Sequence, residues 1–135
     1  MRPAEEVIGT VGFSVMTVRP GDTCVAMGIS DLPIVASSHF LNVMESASVA
    51  SLVEYLEPGE TTILNRVLLE ILTSASIGSE IRGTARCVEV NGRELTFICD
   101  IYEGERHIAT AEIKRTAVER VSFLARTAAQ SLLEE

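Results

Sequence analysis

No stretch of this chain reaches the ~18 consecutive apolar residues that a membrane-spanning helix needs, although 47% of its 135 residues are hydrophobic. No membrane association is therefore expected. A mean hydropathy of +0.28 is high for a chain without a span, and the surplus points to an extensive subunit interface. The opening segment, MRPAEEVIGT, is acidic and lacks the apolar core of a secretory leader. Net positive charge is also lacking: the balance is −8, which argues against a general nucleic-acid binder. The three cysteines, Cys24, Cys87 and Cys99, have no metal-ligand spacing, and their odd number argues against a disulfide framework. Cys87 and Cys99 sit in apolar strand patterns and are expected as buried free thiols, which fits a reducing cytoplasm. There is no GxSxG elbow, no phosphate-binding Gly-rich loop and no cluster of metal ligands. Repeats, low-complexity segments and internal linkers are missing too, and the length suits one domain over residues 1–135 with a proper core.

What is present centres on DLPIVASSHFLNVMESASVASLVEYL, from Asp31 to Leu56. Ser37 and Ser38 are good N-cap types, and Pro33 favours extended backbone just upstream. From His39 to Leu56 there is neither Gly nor Pro. Phe40, Leu41, Val43, Met44, Ala47, Val49, Ala50, Leu52, Val53 and Leu56 spread around most of the helical wheel, as in a buried helix. Small residues from Ser46 to Ser51 would let a sheet approach closely, and Pro58-Gly59 ends the segment. Glu45 stands alone in the middle. A carboxylate on such a helix either points to water at an edge or is retained for chemistry, because burying it unpaired is costly.

Around this helix the pattern is mostly strand. Val11, Phe13 and Val15 alternate with Gly12, Ser14 and Met16. A turn at Arg19–Asp22 follows, then a short second strand expected over Thr23–Met27. The segment TTILNRVLLEILTSAS suits either a helix or a strand by periodicity. Read as a strand, it puts Ile63, Asn65, Val67, Leu69 and Ile71 on one face. From Gly78 to Thr116 the reading is a three-stranded antiparallel meander, turned at Asn91-Gly92 and Glu103-Gly104. Its last strand places Ala109, Ala111 and Ile113 on one face. Residues 117–134 form an amphipathic C-terminal helix with a stripe of Val118, Val121, Leu124, Ala125, Ala128 and Leu132.

An antiparallel sheet wrapped around one apolar helix is the α+β hotdog fold. The pieces LPIVASS, VMESA, YLEPGETT and GSEIRGTARCVEVNGRELTF resemble the fluoroacetyl-CoA thioesterase-like hotdog family from about Val11 to Thr116. The resemblance implies roles by position. The hydroxyl residue that closes the loop before the helix is Ser37, and the helix glutamate is Glu45. The family histidine on the next strand falls on Ile71, so it is absent. In that family the glutamate attacks the thioester carbonyl or activates water, the hydroxyl orients and the histidine moves a proton. His39, two residues after Ser37, is the one nearby substitute as a third catalytic residue. Its plainer reading is a partly exposed residue of the first helical turn.

Leu32, Val35, Ser38 and Ile71 are expected to shape the substrate pocket. Arg66, Arg82, Arg86, Lys114 and Arg115 are candidates for the coenzyme A phosphates, or else solvated strand positions. His107 reads as a solvated strand end. The expected activity is hydrolysis of an acyl-CoA or related thioester by a cytoplasmic homodimer or tetramer, with no metal and no cofactor beyond the coenzyme A of the substrate. The alternative is a non-catalytic hotdog protein that binds an acyl-CoA or small apolar acid. A hydratase on the same fold ranks third, since it would want a histidine paired with a carboxylate.

Overall fold

The structure is a computed structural model that describes residues 1–133. A single turn, α1 (Ala4–Val7), precedes strand β1 (Val11–Thr17) and helix α2 (Ser37–Leu52). Then come β2 (Glu60–Ile71), β3 (Glu80–Asn91), β4 (Glu94–Glu103), β5 (Arg106–Glu119) and helix α3 (Arg120–Leu133). The five strands form one antiparallel sheet in the order β1-β3-β4-β5-β2. The sheet packs one face on α2, as the hotdog reading requires. Both edges, β1 and β2, have one side unpaired within the described chain.

The alternation read from the sequence sets which residues meet α2. Ile81, Ala85, Leu95, Phe97, Ile101 and Ile113 point inward and are fully buried against Phe40, Met44, Ala47 and Leu52 of the helix. Each large side chain among them stabilises the fold by roughly 1.5–3 kcal/mol. Close approach of helix and sheet depends on two strand glycines. A Cβ at Gly83 would lie 2.5 Å from Val43 Cγ1, and one at Gly12 would overlap the Ala47 carbonyl oxygen and sit 2.6 Å from the Ser51 amide. The neighbour at Gly12 is backbone, which cannot swing away. Gly12→Ala should therefore cost ~3 kcal/mol, the upper end of overpacking effects, whereas Gly21→Ala, which meets nothing within 4 Å, should be near neutral. Urea unfolding of the two variants checks this.

The structure corrects several local readings. Thr23–Met27 is a turn, not a strand; its one ladder contact is the isolated bridge from Thr23 to Val35. A bulge between Leu64 and Arg66 changes the inward parity of β2. Thr62 and Leu64 pair with Ala117 and Arg115 before it, and Val67, Leu69 and Ile71 pair with Ile113, Ala111 and Ala109 after it. Extra pairing with β2 carries β5 to Glu119, so α3 starts three residues later than the stripe predicted, and Glu134 lies outside the described residues. Helix α2 stops at Leu52, short of Leu56, and is not wrapped all round: Val49 is 48% and Val53 72% exposed. None of the described helices is long and apolar enough to cross a membrane.

Candidate active site

Glu45 lies midway along α2, at the border between the sheet-facing side and the open side. Its Oε1 accepts a 2.7 Å hydrogen bond from Arg115 Nη1. The Glu45 side chain is 34% exposed and that of Arg115 only 7%. The Arg115 guanidinium donates twice more, from Nε to Thr62 Oγ1 at 2.8 Å and from Nη2 to the Thr62 carbonyl at 3.0 Å. Three bonds in one plane lock the guanidinium, and a fixed fork of this kind holds a carboxylate in a set direction. Glu45 Oε2 has no hydrogen-bond partner among the described residues. One carboxylate oxygen is thus anchored, and the other is free on the exposed side.

Arg115 is the residue that the sequence reading misplaced. It is neither a solvated strand position nor available to a coenzyme phosphate, because it is 5% exposed and its three nitrogens already donate to Thr62 and Glu45. The signal was in the alternation: Ala109, Ala111 and Ile113 face inward, and a period of two puts Arg115 on the same side. A buried cation there demands a carboxylate, and Glu45 supplies it.

Ser37 and Ser38 are exposed residues of the first turn, not caps. The N-cap is Ala36, which has no side-chain oxygen to offer, and no side-chain cap bond forms. The leading N–H groups of α2 thus keep their capacity to bind an electronegative atom. His39 is drawn elsewhere. Its Nε2 lies 3.6 Å from Asp22 Oδ1, in a cleft with Val15, Met16, Thr17, Arg19 and Asn42 that does not include Glu45. The structure does not place it to replace the missing histidine. Val35 is 3% exposed and belongs to the core, while Leu32 is 53% and Ile71 44% exposed. The loop is pinned where Ile34 bridges Ser76 and the Val35 amide donates to the Ala75 carbonyl at 3.0 Å. That brings the start of α2 to the end of β2.

Glu45 and Ile71 do not meet within one protomer. Arg115 pairs with Leu64 and Ala109 pairs with Ile71. Six residues of β5 separate these rungs, about 20 Å at ~3.3 Å per residue. His107 is not a free strand end either. Its Nε2 is 2.8 Å from Asp100 Oδ1, and its ring stacks on Tyr102 with centroids 4.6 Å apart, on the sheet face away from α2.

The cysteines are buried and unpaired. Burial pushes the Cys99 thiol up to about 12, with the Asp100 carboxylate adding to the effect, and burial also raises Cys87. Neutral, enclosed thiols are poor nucleophiles. The native protein should not react with a disulfide reagent at mildly alkaline pH, and all three thiols should titrate once guanidinium unfolds it. Among the described residues no group of three or more His, Cys, Asp or Glu side chains could hold a metal ion.

A helix laid across a five-stranded antiparallel sheet, with its central carboxylate held by a buried arginine, defines this protein as a hotdog-fold member of the thioesterase class. The model of the fluoroacetyl-CoA-specific thioesterase family, FlK, matches residues 18–121, and the chain belongs to that family. Among solved structures, a mutant of FlK is 22% identical, with a TM-score of 0.83 over 91% of this chain and 96% of that one. A Thermus thermophilus thioesterase superfamily member is 23% identical, with a TM-score of 0.84 over 100% of both chains. A hot-dog-like protein from Thermanaerovibrio acidaminovorans is 21% identical, with a TM-score of 0.84 over 93% of this chain and 95% of that one. No curated protein sequence matches the chain.

Proposed function

We propose that the chain is an acyl-CoA thioesterase in which Glu45 carries the chemistry, working in the cytoplasm as a homodimer joined through β2. The observation that carries this reading is the half-anchored carboxylate: Oε1 on Arg115 and Oε2 open to an incoming group. The free oxygen can attack the thioester carbon, expelling the thiolate and leaving an acyl-glutamyl anhydride for water to cleave. Equally, it can take a proton from a water that attacks directly. The uncapped start of α2 offers N–H groups to the carbonyl oxygen as negative charge develops there, and Ser37 orients the ester. Leu32, Ser38 and Ile71 border the acyl group. Coenzyme A enters as part of the substrate, and no other cofactor is needed. A structure of FlK in complex with fluoroacetate and CoA supports that substrate class.

The leaving group makes the loss of the histidine tolerable. A thiol has a pKa near 8.5, so thiolate departs without the full proton transfer that an alkoxide or amide anion would require. The dimer has two supports. The outer edge of β2 presents unpaired backbone groups that seek a partner, and Val49 of α2 is an exposed apolar residue, as is Val53 just past the helix end. Antiparallel pairing of two β2 strands about Val67 would set the partner's Ile71 against Ile63, one residue from the rung that holds Arg115. Each site would then combine Glu45 of one protomer with the partner's Ile71.

Ile71 also favours a second reading, a module that binds acyl-CoA without turning it over. Free-thiol release from short, long and aromatic acyl-CoAs separates the two. Release above background establishes the thioesterase, and Ile71→His should then raise kcat. No release on any ester, together with calorimetric binding of those esters, would establish the binding module instead.

A further inference from the structure

The Arg115 guanidinium is held along one edge by a single uncharged residue. Thr62 accepts from Nε with its hydroxyl at 2.8 Å and from Nη2 with its carbonyl at 3.0 Å. Nε–H and the neighbouring Nη2–H point the same way, and a carboxylate commonly takes two such parallel donors through its two oxygens. Here the hydroxyl and the carbonyl of one threonine stand in their place. Strand register makes this possible. Arg115 pairs with Leu64 and Ala117 with Thr62, so Thr62 is the diagonal neighbour of Arg115 on the inward face. Such neighbours lie ~7–8 Å apart, within reach of a long side chain. The bulge begins only after Leu64 and leaves this geometry intact. Thr62 is 9% exposed, so water has little access to either bond.

We propose that Thr62 is a positioning residue for thioester cleavage, acting on Glu45 through Arg115. Its role rests on the Glu45 chemistry proposed above. Two properties of the clamp support it. The first is geometric. A guanidinium joined to Glu45 by one bond, Nη1 to Oε1 at 2.7 Å, can pivot about that bond. Two further bonds on another edge remove the pivot, so Oε1 is fixed and Oε2 meets the incoming ester from one direction. Displacing a reacting atom by about 1 Å can cost on the order of 10²-fold in rate. Branching at Cβ adds to the effect, because it restricts χ1 and keeps the Thr62 hydroxyl on Nε.

The second property is electrostatic. Both acceptors on Thr62 are neutral, and among the described residues Glu45 is the one carboxylate paired with Arg115. The positive charge of Arg115 is therefore directed to Glu45 alone. An acidic residue in the place of Thr62 would hold the same edge and divide that charge between two anions.

Thr62→Val and Thr62→Ser separate positioning from packing. Valine keeps the shape and loses the hydroxyl, whereas serine keeps the hydroxyl and loses a methyl group. With an acyl-CoA that the wild type cleaves, Thr62→Val should lower kcat by ~10–100-fold and leave KM within about twofold. Thr62→Ser should keep kcat within about threefold of the wild type. A packing role gives the opposite order, with serine the more damaging and kcat per folded molecule unchanged in Thr62→Val; that result would overturn the proposal. No thiol release by the wild type would overturn the Glu45 chemistry and this role together, while release with full kcat in Thr62→Val would remove this role alone. A nitrogen-15 NMR spectrum of the arginine Nε–H groups needs no turnover. The Arg115 signal should be protected from exchange with water in the wild type and in Thr62→Ser, and should lose that protection in Thr62→Val. Exchange in the wild type as fast as at an exposed arginine would overturn the clamp even if Thr62→Val does not fold.

Discussion

Glu45→Gln will lower kcat for thioester cleavage by ~10²–10⁴-fold while the fold and ester binding persist. Glutamine matches glutamate in shape, and its amide oxygen can still accept from Arg115 Nη1, which now bonds Glu45 Oε1 at 2.7 Å. What disappears is the negative charge on the second oxygen. A neutral amide neither attacks an acyl carbon nor removes a proton from water at neutral pH. The helix position is a third exposed, so the change opens no cavity. Thiol release measured beside a thermal melt checks both halves. Unchanged turnover in a folded variant would remove Glu45 from the chemistry and leave it as the counter-ion of Arg115.

Arg115→Ala will destabilise the protein by about 3–5 kcal/mol, the range for breaking a buried ion pair. The side chain is nearly enclosed and makes three hydrogen bonds. Its removal leaves a void between α2 and β2, and two acceptors on Thr62 lose their donors. Because water can reach the Glu45 carboxylate, the lower end of the range is expected. At ~1–3 kcal/mol per M for a small domain, the urea midpoint falls by at least about 1 M. Arg115→Lys should recover part of the stability but not the alignment, since an ammonium cannot hold Glu45 and both Thr62 oxygens in one plane. By contrast Arg2 and Glu6, 3.6 Å apart with side chains 58% and 47% exposed, form a pair worth at most ~0.5 kcal/mol. Denaturant unfolding of Arg115→Ala, Arg115→Lys and Arg2→Ala tests the contrast.

The interval between those two effects separates the roles. Glu45→Gln is a large loss of rate with a smaller loss of stability, about 1–3 kcal/mol, because the nearly enclosed Arg115 keeps an acceptor but loses its counter-charge; Arg115→Ala is a large loss of both. A carboxylate aimed by a buried cation behaves this way, and a solvated helix glutamate would give neither result.

By itself the sequence determined the hotdog architecture. The two-residue alternation of β3, β4 and β5, the Asn91-Gly92 and Glu103-Gly104 turns, and an unbroken helix with one carboxylate are local patterns, and local backbone preferences express them directly. The helix pattern also singled out Glu45, and the family resemblance pointed to Ser37 and to Ile71 in the place of the histidine. Only the tertiary structure decided what Glu45 touches. Arg115 is 70 residues away along the chain, and no local periodicity reports a contact over that distance. The bulge at Leu64–Arg66 inserts one residue with no composition signal, so the parity of β2 followed from its pairing with β5. His39 turned to Asp22 because the preceding loop folds back on the helix start. The roughly 20 Å between the rung of Arg115, which holds Glu45, and the rung of Ile71 is likewise a property of strand register. Hydrophobic pattern sets which face of each element is buried. The long-range pairing of the elements sets which charges share that space.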